Sequence, residues 1–294
     1  MTTSVATAPH RPDGVEPAVP AFGDVLGDGY LCVELLSRGE AFDVHDAWSA
    51  ERHCRCIVKM LRPDVTSPAM RRRLLREGQL LATLRHPHLA HGYQVLRDPP
   101  LVASRTVGGV MLDAALSGGA RLDAGQLAVI GGQLAAALRY LHEHGYLHLD
   151  VKPSNVAVEA GSAVLLDYSL AQRPGRVAAG TGTVGYLSPE QARGGRVGPA
   201  ADVWGLGTLL FTAAAGRHPH DDDPSGAPGV APDPRAWREA PTLRRFRRNV
   251  PRSLSDVIDA CLHLDHAGRP PLDVVLAVCD ALGGTGRPRP AACG

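Results

Sequence analysis

The sequence predicts an α+β chain in two unequal parts, a small β-rich segment with one main helix followed by a larger, mainly helical one. Three observations carry this. Between about residues 30 and 105 the apolar residues fall in short β-type runs, with one helical stretch among them. Past Gly108-Gly109 the pattern becomes helical. A chain of 294 residues with 44% hydrophobic content can also bury one large or two moderate cores.

In order, residues 1–25 are rich in Pro, Ala and Thr and read as a disordered tail. Strands are expected over Tyr30 to Trp48 and Arg55 to Leu61, a helix from about Ser67 to Arg85, and strands near Gly92 to Leu96 and Leu101 to Arg105. These make up a small lobe, 26–107, with a hinge near Ser104 to Val107. In the larger lobe, 108–283, Gln126 to Glu143 places apolar residues at 127, 130, 134, 138 and 141, a stripe interrupted by Gly131-Gly132 and closed by Gly145. Ala200 to Ala215 reads as a buried helix, and Gly216 to Pro234, with Asp221-Asp222-Asp223, as an acidic loop. Helices near Ser253 to His263 and Leu272 to Leu282 close the fold before a flexible tail, 284–294.

Net charge near +1 gives no electrostatic case for nucleic acid or an anionic membrane as partner. The six cysteines show no disulfide-framework spacing, which fits reduced thiols in a cytoplasmic protein. The chain begins without a basic-then-apolar signal and has no run of 18 apolar residues, so no membrane span is expected.

Of 31 basic residues only Lys59 and Lys152 are lysines, in a chain that uses Arg everywhere else. A compact ammonium reaches a phosphate oxygen as a point charge where a planar guanidinium does not fit, so both positions point to phosphate handling. Their surroundings agree. Lys59 ends the apolar run Cys56-Ile57-Val58, and Lys152 lies in His148-Leu149-Asp150-Val151-Lys152-Pro153-Ser154-Asn155. The apolar run Ala163-Val164-Leu165-Leu166 then leads to Asp167-Tyr168-Ser169.

These motifs resemble the eukaryotic-like (Hanks-type) serine/threonine protein kinases of bacteria, over roughly residues 26 to 283. The resemblance implies a bilobal protein kinase-like fold and transfer of the γ-phosphate of ATP to Ser or Thr of a protein substrate. Lys59 resembles the lysine that holds the α- and β-phosphates, with Glu77, 18 residues on, as its partner carboxylate. Asp150 resembles the catalytic carboxylate and Lys152 the group that neutralises charge on the transferring phosphoryl. Asn155 and Asp167 supply hard oxygen ligands for Mg²⁺, with Mn²⁺ as an alternative. Gly182-Thr183 and Ser188-Pro189-Glu190 resemble the end of an activation segment. Asp202 resembles a brace for the catalytic loop, and Arg269 the partner of Glu190.

The departures carry expectations of their own. The glycine-rich template over the phosphates falls on Ser37 to Val44, with Ser37, Gly39 and Val44 at template positions and only Gly39 kept as glycine. A one-residue gap would instead make Phe42 the aromatic at the loop tip. A stiffer loop is expected, with Glu40 and Asp43 bringing like charge toward ATP, and hence weak nucleotide affinity. Leu149 stands where many kinases carry an Arg that grips a phosphorylated activation loop, which predicts activity largely independent of such phosphorylation, with Thr181 and Thr183 left as candidate modification sites. Tyr168 and Ser169 replace Phe and Gly. Two alternatives stand beside this reading: a pseudokinase acting as a nucleotide-sensing or docking module, and a small-molecule phosphotransferase with the same core. The joint retention of Lys59, Glu77, Asp150, Asn155 and Asp167 opposes the first, and the Gly182 to Glu190 segment opposes the second.

Overall fold

The computed structural model describes residues 18–221 and 238–283. The tail at 284–294, most of the acidic loop and residues 1–17 lie outside the described residues.

A six-stranded antiparallel sheet comes first: β1 (Val25–Gly27), β2 (Tyr30–Arg38), β3 (Phe42–Ser49), β4 (Cys54–Leu61), β5 (Gly92–Arg97) and β6 (Pro100–Arg105), in the order β1-β2-β3-β4-β6-β5. The segment expected as tail up to residue 25 is already engaged at its end, where Gly23 N donates to Cys32 O and Cys32 N to Asp24 O, both at 2.8 Å. The strand-rich stretch Tyr30 to Trp48 is the hairpin of β2 and β3, where Gly39-Glu40-Ala41 turns the chain back on itself.

Between β4 and β5 runs helix α1 (Pro68–Thr83), started by the Ser67 side chain accepting from Met70 N and by Pro68 in the first turn. It lies flat on the sheet because residue 78 is glycine. A Cβ there would meet methyls of Val95 and Val102 at 2.7 Å. That close approach fixes the depth of Glu77, one residue earlier.

The second part holds β7 (Val110–Met111), the short α2 (Leu112–Ala115), α3 (Ala124–Glu143), the hairpin β8 (Val156–Glu159) and β9 (Ser162–Leu165), the paired strands β10 (Gly175–Val177) and β11 (Gly195–Val197), and helices α4 (Pro189–Arg193), α5 (Pro199–Ala215), α6 (Arg252–Cys261) and α7 (Leu272–Gly283). Helix α3 begins with a reciprocal cap, Gln126 N to Asp123 Oδ1 at 2.8 Å and Asp123 N to Gln126 Oε1 at 3.0 Å. Gly131-Gly132 do not interrupt it. A Cβ on Gly131 would lie 3.2 Å from Cys279 Sγ and 3.3 Å from Leu210, so small residues let α7 and α5 close on α3.

One apolar core runs from Leu74, Leu80 and Leu81 of α1 through Leu89 and Tyr168 to Leu134 and Leu138 of α3 and on into α5, where nearly every residue is buried. It therefore joins the two lobes behind the cleft. A smaller cluster, with Tyr30, Ala47, Val58 and Leu101, belongs to the six-stranded sheet.

Candidate active site

A cleft of ≈520 Å³ opens between the lobes, within the size range of small-molecule sites. Its walls offer a flat apolar slot, with Leu36, Val44 and Ile57 from the sheet and Met111 and Leu166 from the larger lobe. The connection Ser104 to Val107 closes one side, and Lys59, Glu77, Asn155 and Asp167 lie along the wall too.

Lys59 Nζ lies 3.0 and 2.9 Å from the two oxygens of Glu77 and 3.0 Å from Asp167 Oδ1. The geometry follows from the elements: β4 points Lys59 inward opposite Val44, α1 brings Glu77 behind it, and the turn after β9 delivers Asp167. Burial raises Glu77 from 4.5 to about 7, with the Lys59 ammonium pulling against it. Burial would also raise Asp167, but the Lys59 charge and the bonds from Ser169 outweigh it and hold that carboxyl well below the usual range. For Lys59, burial alone would lower the pKa; the two carboxylates reverse this and raise it. The ammonium is thus charged and already aimed into the cleft.

Below the cleft lies the loop from His148 to Asn155. Asn155 Nδ2 donates to Asp150 O at 2.8 Å and to Asp150 Oδ2 at 3.0 Å, which turns the amide oxygen away from that carboxylate. Lys152 Nζ sits 2.9 Å from Asp150 Oδ2. Thr183 Oγ1 bridges the pair, donating to Asp150 Oδ1 and accepting from Lys152 Nζ, both at 2.6 Å. The backbone is held from beneath. Fully buried Asp202 accepts from His148 N at 2.8 Å and Leu149 N at 2.7 Å, and meets His142 Nε2 at 2.7 Å. Burial would raise its pKa, yet the bonds and nearby imidazoles lower it, which favours the carboxylate that anchors the loop.

The remaining predicted residues fall as follows. Ser37 and Val44 face the cleft and pair in register, Val44 also lying opposite Lys59. Phe42 pairs opposite Leu61, with its ring 5.3 Å from Lys59 Nζ and 5.7 Å from the Arg73 guanidinium. Gly39 is at the hairpin turn, outside the cleft wall, its carbonyl accepting from Arg62 at 3.1 Å. The expected repulsion from Asp43 needs correction. Its carboxylate is buried and held by both Arg38 nitrogens, Nε at 2.9 Å and Nη2 at 2.8 Å, so its charge is balanced.

Leu149 is buried with Leu147, Val197 and Ala201, so β11 packs where a guanidinium would otherwise need a counter-charge. Gln191 Nε2 donates to Leu149 O and Thr181 O, both at 2.9 Å, tying the activation segment to the catalytic loop. Arg269 grips Glu190 with two bonds, 2.6 and 2.9 Å, and lies 5.0 Å over the Trp204 ring. Thr183, Gln191 and His142 were the contacts sequence reasoning did not assign. Only Thr183 carried a signal, its place after Gly182.

Over most of its length the chain is similar to known proteins. Residues 30–278 match the family described as protein kinase domain. The chain belongs to that family. The serine/threonine-protein kinase PknD of Mycobacterium tuberculosis is 33% identical over 215 residues, 70% of this chain and 32% of its own length. The serine/threonine-protein kinase PknB of Mycolicibacterium smegmatis is 32% identical over 213 residues, 67% of this chain and 34% of its own. PknB of Mycobacterium leprae is 32% identical over 212 residues, with the same two coverages. The chain thus spans about a third of the length of these curated relatives. No described helix is long and apolar enough to cross a membrane, and the described cysteines are all free.

Proposed function

We propose that this chain transfers the γ-phosphate of ATP to Ser or Thr hydroxyls of a protein substrate, using a small lobe over 26–107 and a larger one over 108–283. The observation that carries the reading is the convergence of Lys59, Glu77 and Asp167 across 108 residues of sequence onto one ammonium, above a loop that presents Asp150 and Lys152.

The donor set fits a metal shared with phosphates. Among the described residues no three His, Cys, Asp or Glu side chains gather as a closed cage. Asn155, with its Nδ2 committed to Asp150, presents an amide oxygen, and Asp167 keeps 41% of its side chain exposed. These two hard oxygens would hold Mg²⁺ or Mn²⁺, which supplies charge neutralisation at the phosphate oxygens.

The protein's own part is positioning and proton handling. The apolar slot takes the adenine ring, and Lys59, fixed by Glu77, holds the α- and β-phosphates. Asp150 accepts the hydrogen bond of the attacking hydroxyl and then its proton. Thr183 occupies that acceptor oxygen at 2.6 Å, which marks where a substrate hydroxyl would compete. Lys152, 2.9 Å from Asp150, neutralises charge as the bond to the β-phosphate breaks. Nothing in this geometry favours a silent docking module.

The test is incubation with radiolabelled ATP, Mg²⁺ or Mn²⁺ and a generic protein acceptor beside Asp150→Ala. Label on Ser or Thr from the wild-type chain alone is the expected result. Identical traces from both proteins would reject the reading.

A further inference from the structure

We propose that Arg73 and Tyr168 are positioning residues that keep the Asp167 carboxylate turned into the cleft, without any modification of the segment that follows. The proposal rests on the reading of the cleft given above. Asp167 has φ of +57°, in the left-handed region that Asp enters more readily than most non-glycine residues, so the direction of its carboxylate depends on what holds the segment.

Three ties hold the segment. Tyr168 Oη donates to Ala90 O at 3.0 Å from a fully buried ring that also sits edge-on to His148, with centroids 5.8 Å apart. Swinging the segment outward would strip a buried carbonyl of its donor. Arg73 Nε donates to Ser169 O at 2.9 Å. Arg73 lies one turn before Glu77 on α1, so a single helix grips both Lys59 and the segment carrying Asp167. Ser169 completes the set. Its hydroxyl bonds the Asp167 carboxylate and accepts from Lys59 Nζ at 3.2 Å.

The two residues that depart from Asp-Phe-Gly are the ones that add bonds here. A phenylalanine has no hydroxyl to reach Ala90, and a glycine has none to reach Asp167 or Lys59. The family core is kept, and the freedom of this segment to leave it is reduced.

Hydrogen exchange read by mass spectrometry on the full chain tests this, without nucleotide and after phosphatase treatment verified by intact mass. In the wild type, peptides covering 166–172 should stay as protected as before treatment. Tyr168→Phe and Arg73→Gln should each exchange about tenfold faster there, with α3 and α5 unchanged. Arg73→Lys should recover part of the protection, since an ammonium can still donate to the Ser169 carbonyl, and kcat should fall and recover in the same order. Should Tyr168→Phe loosen the whole chain, half-buried Arg73 at the helix surface carries the test alone. Wild-type protection lost on dephosphorylation, or wild-type exchange rates in Arg73→Gln, would overturn the proposal. A protected segment in a wild-type chain without turnover would sink phosphoryl transfer and leave this proposal standing.

Discussion

The hairpin above the cleft and the loop beneath it do opposite things with their sequence. From Ser37 to Val44 the hairpin has given up two of three template glycines, and side chains now do the holding: Arg38 on Asp43, Arg62 on the Gly39 carbonyl, Phe42 beneath two cations. From His148 to Asn155 the loop keeps Asp150, Lys152 and Asn155, and the change at Leu149 faces the apolar interior. A residue that acts through backbone shape can be replaced by any support giving that shape. A residue that must accept a proton, or stand next to a forming charge, cannot. Changes beneath the cleft should therefore act on chemistry, and changes above it on stability and nucleotide binding.

The largest effect tests the lower half of that comparison. Asp150→Ala should lower kcat by roughly 100- to 10,000-fold, the range for loss of a positioned base, with little change in the thermal midpoint. Asp167→Ala and Lys59→Met should each also cost orders of magnitude. Lys59→Met should in addition destabilise the fold by about 3 kcal/mol, because buried Glu77 loses its counter-charge. A Lys59→Met protein that kept most of its activity would mean that the phosphate anchor lies elsewhere.

The Lys59–Glu77 ion pair within the small lobe adds a pH dependence. The folded chain holds Glu77 at about 7, above its ordinary 4.5, so the folded state favours the protonated acid. Its contribution to stability is fully present below about 4.5 and is lost as pH rises through about 7. Function runs the other way, since the pair with Lys59 needs the carboxylate. The kcat/KM for ATP should fall as pH drops through about 7, and Glu77→Gln should lose that limb while keeping any limb due to the nucleotide itself.

What the sequence made legible was chemistry of fixed type at fixed spacing. Lys59 and Lys152 stood out because everything else basic was Arg, and the structure brings Lys59 to Asp167 and Lys152 to Asp150. What stayed hidden depended on burial and on long-range partners. Asp43 read as a repelling charge because its pairing with Arg38 exists only once β2 and β3 align. Gly131-Gly132 read only as a gap in the apolar stripe because the helices that need their lack of side chain come about 80 and 150 residues later. Thr183 was seen as a modification site, but its bonds to Asp150 and Lys152 span 33 and 31 residues.

Above the cleft the expected changes are smaller and of a different kind. Arg38→Ala strands the buried Asp43 carboxylate and should cost about 3 kcal/mol, read as a lower thermal midpoint, with KM for ATP rising while kcat holds. Adding Asp43→Asn should recover most of the stability, since a neutral amide in the same place no longer needs the guanidinium. A loss of kcat matching that of Asp150→Ala would erase the distinction between the two regions. With two of the three template glycines replaced, the hairpin carries the expectation that Mg·ATP binds more weakly than the low micromolar range.

The smallest expected effect is none. In many protein kinases an Arg before the catalytic Asp gives a phosphorylated activation segment something to grip. Here that position is Leu149, buried against Val197 and Ala201, and the segment is held by β10 pairing with β11 and by Gln191 bonding Leu149 O and Thr181 O. A phosphate on Thr181 would meet no guanidinium at that position. One on Thr183 would push charge toward Asp150, 2.6 Å from its hydroxyl. Phosphatase treatment should therefore leave turnover unchanged, and phosphorylation at Thr183 should lower it. Turnover abolished by phosphatase would show that the apolar contact at Leu149 does not replace the charge it displaced.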